Sequence, residues 1–296
     1  MSTGLHRRGL LLVFVATVLW SLAGVFARAT SVDFGAMLFG RAGFGGLCGL
    51  ALAALDWRAG RLDAARLLSP LTPVVVVLSA TAISGYVAAL MTTTIADVLV
   101  IYATLPFIAA ALSFAITGER PSGRTMVAAC VALIGVGVMV VGGLGRGRLL
   151  GQALALFMTV GFAGLVVLQR RDPNLPVGPI NSLAALFAAA FGFVMAGSVK
   201  MSAFDVADLF LFGVTTITIA FTLFMEGAKW VPPAEASLIS ILDVVMGPLW
   251  VWLVFSETPG AATLAGGAFV LAAAAWRLAP ELRRRHEDLA PAAPVV

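Results

Sequence analysis

Ala96–Thr125 (ADVLVIYATLPFIAAALSFAITGERPSGRT) and Ala234–Thr263 (AEASLISILDVVMGPLWVWLVFSETPGAAT) run 138 residues apart in one pattern. Each opens near an acid, crosses an apolar run and arrives at a glutamate: Glu119-Arg120-Pro121 in the first copy, Glu257-Thr258-Pro259 in the second. In this register Asp97 meets Glu235, Ala109 meets Gly247, and the two glutamates coincide. A duplicated apolar unit is the sequence signature of a carrier built from two halves around a central site. Duplication also builds helical bundles of other kinds, in channels and membrane enzymes, so the repeat by itself names an architecture.

Working outward, the chain has 296 residues, is 60% hydrophobic and 11% charged, and has a mean hydropathy of +1.02. A water-soluble domain has too little interior to hide that much apolar surface, so lipid is the expected solvent. Most apolar segments lack the charged outer face that a soluble core helix carries. Ten helices are expected near 9–28, 34–55, 70–90, 95–117, 124–143, 149–169, 178–199, 208–228, 232–255 and 260–279. Each has about the 20 residues that cross a ~30 Å hydrocarbon layer. Pro70, Pro121, Pro176, Pro179, Pro232 and Pro259 sit at or near the boundaries, where a missing N–H costs least. A transmembrane barrel needs alternating segments, and Val74-Val75-Val76-Val77 and Ala272-Ala273-Ala274-Ala275 do not alternate. The fold class is an all-α membrane protein.

His6-Arg7-Arg8 and the apolar run after it imitate a secretory signal. That run is too long for a cleaved signal and contains Trp20 and Gly24, so it reads as a retained first span. With ten spans both termini lie on one side. The termini and the even-numbered loops carry 14 of the 19 Lys and Arg residues, which places both ends in the cytoplasm. The net charge of +4 and pI near 9.7 are then topology signals; no basic run interleaved with aromatics points to nucleic acid. Five spans per half is an odd number, so the second copy is expected to cross in the opposite sense. The predicted organisation is one membrane domain: an inverted pair of five-helix repeats at 9–143 and 149–279, then a cytoplasmic tail at 280–296.

Tyr102-Ala103-Thr104-Leu105-Pro106-Phe107 leading to Thr117-Gly118-Glu119-Arg120-Pro121, and Ser240-Ile241-Leu242-Asp243 leading to Glu257, resemble the repeat unit of the EamA family. That family lies within the drug/metabolite transporter superfamily. Leu19-Trp20-Ser21 and Arg41 also match its pattern, and the resemblance extends to the last span. It implies export of amino acids and other metabolites. Two positions depart from it: Val244 stands where the second copy usually has proline, and Phe162 stands where the first copy has Trp20.

Arg41 is the costliest residue to insert, at roughly 2.5–3.5 kcal/mol for a central arginine. It is expected to meet a substrate carboxylate, or else to snorkel or bond helix carbonyls. Ser237, Ser240, Asp243, Gly247 and Trp250 fall on one helical face. Such a face suits a cavity, in which Asp243 binds an ammonium group or a proton, or pairs with Arg41. Trp20, Ser21, Tyr102, Thr159, Phe162 and Thr218 complete the candidate cavity set, each hydroxyl also having a packing role open to it as an interhelical bond. Gly45 and Gly49, at GxxxG spacing, read as close helix packing.

Enzyme chemistry finds little support. The two histidines, His6 and His286, fall in the tails, and no Walker loop is present. Cys48 and Cys130 lie in spans, outside any metal or redox spacing. No cofactor or metal is implied. The expected partners are a small-molecule substrate and the bilayer, with the monomer as the working unit. High Ala, Gly and Arg usage suggests a bacterial inner membrane. The functional expectation is export of hydrophobic or aromatic amino acids by alternating access; export of other drugs or metabolites by proton antiport is the alternative, followed by a channel or scaffold.

Overall fold

A computed structural model of the chain describes residues 3–289 apart from 63, 119–120, 145–146, 173 and 198. Glu119 and Arg120, which close the first copy of the repeat, lie outside the described residues, as do residues 290–296 of the expected tail. The described residues form helices and no strand. Among the described residues ten candidate spans follow in order: α1 (Gly4–Ala29), α2 (Phe34–Arg58), α3 (Thr72–Thr92), α4 (Ile95–Tyr102 and Leu105–Thr117), α5 (Gly123–Gly143), α6 (Leu149–Arg171), α7 (Val177–Met195), α8 (Ala203–Ala228), α9 (Pro233–Phe255) and α10 (Ala261–Leu289). Nine are single helices long and apolar enough to cross a membrane, and α4 makes the tenth as a bent pair.

Local chemistry sets the ends. Asp33, Thr94 and Ser122 accept hydrogen bonds from Ala36 N, Asp97 N and Thr125 N, satisfying donors that a helix start leaves free. Ser202 and Asp205 form a reciprocal capping box, which starts α8 at Ala203, five residues earlier than apolar patterning alone places it. The α7 helix stops at Met195, short of the expected 199, because Ala196 turns extended ahead of Gly197. The last helix continues to Leu289, so the expected tail begins as an extension of α10.

Two spans depart from simple helices. Pro106 has no N–H and its ring crowds the carbonyl one turn back, so α4 breaks at Ala103-Thr104 and bends by 41°. In α9 the register partner of Pro106 is Val244, and the helix runs unbroken from Pro233 to Phe255 with Pro248 inside it. The second departure is a π-helical turn in α8, Val214–Ile219. It falls on the β-branched run Val214-Thr215-Thr216-Ile217-Thr218-Ile219, which crowds a regular helix.

The main contacts pair α2 with α7 and α5 with α10. They also pair α1 with α8 and α3 with α6, α1 with α9 and α4 with α6, and α2 with α8 and α3 with α7. Exchanging the halves (α1 for α6, α2 for α7 and so on) maps this pattern onto itself, as duplicated halves require. Glycines let α2 lie between α7 and α8. A Cβ on Gly213 would sit 2.1 Å from Arg41 O, and one on Gly49 would sit 2.2 Å from Ser182 Oγ. Gly45, against Gly213 O, and Gly49 therefore do the close packing expected of them. Around the outside, Leu47, Val141, Phe187 and Leu264 are each at least 60% exposed, as a lipid-facing surface should be.

Candidate functional site

Arg41 projects from the first half of α2 and is only 6% exposed. Its guanidinium lies 4.5 Å from the Phe212 ring centroid of α8 and 5.2 Å from the Tyr86 ring centroid of α3. One hydrogen bond is made, from NH2 to Thr216 Oγ1 at 3.3 Å. Nε and NH1 are buried with no protein partner. A guanidinium has five N–H donors, and leaving charged donors unmade costs more than the ~1–3 kcal/mol of a neutral one. Two ring faces, worth roughly 0.5–2 kcal/mol each, offset only part of that. The arginine neither snorkels nor is satisfied by carbonyls: it is held by aromatic rings and one threonine, with Nε and NH1 unpartnered.

The π-turn of α8 explains how this cluster is built. Thr216 Oγ1 donates to Phe212 O at 2.6 Å while accepting from Arg41. Thr216 O is reached by Trp20 Nε1 of α1 at 2.9 Å, and the Trp20 ring tilts onto Phe224 with centroids 5.2 Å apart. The loosened turn thus brings one threonine into contact with both α1 and α2.

Asp243 of α9 belongs to the same region. Its carboxylate acts electrostatically on Tyr86 and on Tyr102, and its Oδ1 is buried without a hydrogen-bond partner. Arg41 and Asp243 form no ion pair with each other, so the paired arrangement considered from sequence is not the one adopted. Tyr102, at the break in α4, meets Phe162 of α6 edge-on at 6.0 Å. One free cation, one free carboxylate and four aromatic groups (Trp20, Tyr86, Tyr102, Phe162) therefore line adjoining faces of α1, α2, α3, α4, α6, α8 and α9.

Other expected residues are placed differently. Thr218 donates to Gly45 O at 2.8 Å and ties α8 to α2. Thr159 and Ser240 bond carbonyls of their own helices, Ala155 O at 2.6 Å and Ala236 O at 2.9 Å. Ser21 accepts from Trp250 Nε1 at 3.0 Å and ties α1 to α9. Gly247 is buried, and a Cβ there would lie 2.3 Å from Leu99 Cδ1, so it is where α9 touches α4. Ser237 is exposed. His6 is not in a loose tail: it lies in α1, with Nε2 3.2 Å from Glu235 Oε2 and Nδ1 3.3 Å from Trp230 O.

Sequence reasoning missed Tyr86, Phe212, Thr216 and Asp208. Tyr86 had a signal, since the chain has only two tyrosines and both fall inside spans. Asp208 is 7% exposed with an unpartnered Oδ2, one turn from Phe212 on α8. Two clefts, of about 510 and 540 Å³, contain neither Arg41 nor Asp243. They lie between outward-facing phenylalanines and leucines such as Phe157, Phe187, Phe44 and Leu47, which suits lipid chains better than a charged ligand.

The chain matches the EamA-like transporter family twice, over residues 7–141 and 149–278. No curated protein matches it in sequence. Among solved structures, one titled only as the crystal structure of a protein superposes with a TM-score of 0.62 over 95% of this chain and 99% of its own, at 21% identity. That likeness supports the fold alone. With two family repeats spanning ten candidate membrane segments, the chain belongs to the EamA-like transporter family.

Proposed function

We propose that this protein is a secondary carrier that exports small zwitterions, hydrophobic or aromatic amino acids above all, by alternating access. The observation that carries the reading is Arg41: a buried cation with free donors, held by rings rather than by a counter-ion, suits a ligand carboxylate. Asp243 supplies the matching acceptor for an ammonium group. Trp20, Tyr86, Tyr102 and Phe162 offer an apolar wall for the side chain. Repeats at 9–143 and 149–279, five spans each, are related by inversion in this reading, with both termini cytoplasmic by the positive-inside bias and the protein working as a monomer in a bacterial inner membrane. Exchange of the halves then interconverts inward-open and outward-open states of similar energy.

Purified protein in liposomes tests this. Saturable counterflow of labelled leucine or phenylalanine is expected, competed by other apolar amino acids and by neither their amides nor their decarboxylated amines. Linear, unsaturable flux indicates a channel, and no flux for any amino acid removes the substrate class. Proton antiport is the second reading, favoured by the unpartnered carboxylates of Asp208 and Asp243. It requires net uphill export driven by an imposed pH gradient alone.

A further inference from the structure

We infer that Arg28, Glu257 and Asp97 form a latch that fastens the two repeats together at one mouth of the pathway and holds that mouth shut. Glu257 follows α9 directly. Ser256 ahead of it takes a left-handed conformation (φ 55) while its N–H bonds Trp252 O, which turns the chain back over the helix ends. Glu257 Oε2 accepts from Arg28 Nε of α1 at 2.7 Å, and Oε1 accepts from Ile95 N, the first residue of α4, at 2.9 Å. Arg28 then donates to Leu90 O at 2.5 Å and Thr93 O at 2.8 Å, at the end of α3. A carboxylate thus sits on a helix N-terminus and a guanidinium on a helix C-terminus, each on the end whose dipole favours its charge.

The same junction continues inward through Asp97, whose side chain is 0% exposed. It accepts from Thr93 Oγ1 at 2.8 Å, from Thr263 Oγ1 of α10 at 2.6 Å and from Gln152 Nε2 of α6 at 3.3 Å. Arg148 NH1 stands 3.9 Å away. Arg28, Thr93, Ile95 and Asp97 belong to the first repeat, Gln152, Glu257 and Thr263 to the second, and Arg148 to the loop between them. Four of the cluster's bonds cross between the repeats (Arg28–Glu257, Ile95–Glu257, Gln152–Asp97 and Thr263–Asp97), so separating the repeats here breaks these four together.

The equivalent acid of the second copy, Glu235, stands differently. Its side chain is 22% exposed and meets His6 at 3.2 Å. Glu119, the register partner of Glu257, lies outside the described residues; in this reading the structure is the state closed at the Arg28 end. The latch rests on the alternating-access reading. Breaking it should tilt the carrier toward the state open at this mouth.

The test uses the full chain with Cys48 and Cys130 replaced by alanine, in liposomes of known orientation, with an impermeant maleimide added to one side. Val98→Cys, at a position 0% exposed one turn inside the latch, reports entry from the Arg28 side. Ser237→Cys, at an exposed position near Glu235, reports entry from the other. Adding Glu257→Gln is expected to raise Val98→Cys labelling about fivefold, the scale of a partly exposed ion pair, and to lower Ser237→Cys labelling. Unchanged Val98→Cys labelling overturns the latch. So does a rise at both reporters, which marks a loosened fold. Labelling needs no transport, so a chain with no counterflow whose reporters still move in opposite directions loses the substrate reading and keeps the latch.

Discussion

α4 and α9 descend from one repeat unit, yet they have become different devices. α4 is broken at Ala103-Thr104 ahead of Pro106, and the break presents Tyr102 to Phe162. α9 is one continuous helix whose acid, Asp243, sits in register with Leu105 of α4. One copy supplies a bend and an aromatic edge; the other supplies an unbroken helix and a charge. Duplication provides two halves that can exchange roles, but two identical halves would put the same chemistry on both walls. In the proposed function the divergence at 105 and 243 gives the site a polar side, and Arg41 of α2 faces the same region from the first repeat.

The largest expected effect comes from removing the charge on α9. Asp243→Asn should reduce counterflow by about tenfold or more, since a charge-assisted bond contributes roughly 1.5–3 kcal/mol. Normal flux at normal protein levels would show that the α4–α9 difference has nothing to do with selectivity. Arg41→Met comes next and separates function from stability. It keeps the apolar stem between Tyr86 and Phe212 and removes two unpartnered donors. Transport should fall about tenfold through a raised KM while the melting temperature holds or rises, because a buried orphan costs ~1–3 kcal/mol. A large fall in melting temperature would mean that the arginine is structural.

Spans, repeat and family were legible because lipid demands long apolar runs and leaves few alternatives for the backbone. The chemistry of the site was legible in part. Arg41 and Asp243 stand out in any apolar sequence, and both carry buried atoms without a partner, Arg41 within a buried side chain and Asp243 within a half-buried one. Thr159, Ser240 and Gly247 shared the right helical faces, but a face at helical spacing does not reveal whether a hydroxyl turns to its own carbonyl or whether a glycine meets a neighbour. The partners of Arg41 were illegible for a related reason. Phe212 and Thr216 reach it through a π-turn, and no periodicity of 3.6 anticipates that. Nor does spacing show that Glu257, which first served as a mark of duplication, binds Arg28 and caps α4.

Smaller effects sharpen the contrast in helix shape. Pro106→Ala allows α4 to heal across 103–104, restoring an N–H to the ladder and displacing Tyr102 from Phe162. Turnover should fall severalfold with little loss of stability. Pro248→Ala, in the helix that is already continuous, should raise the melting temperature and leave turnover within about twofold, since an interior proline costs a helix up to ~3 kcal/mol. If both substitutions slow transport equally, the bend in α4 is not special and α9 also flexes at its proline.

The smallest effect is expected where α9 is tied to α1. Ser21→Ala removes the acceptor for Trp250 Nε1 and leaves the indole N–H to find another partner or none. One such bond is worth about 1 kcal/mol, so the melting temperature should drop by a few degrees while counterflow stays within about twofold. The register partner of Trp250 in α4 is Leu112, which has no polar atom to tie in this way. The bond therefore belongs to the second copy alone. A substantial loss of flux in Ser21→Ala would show that the rigidity of α9, as well as its charge, is part of how the carrier selects.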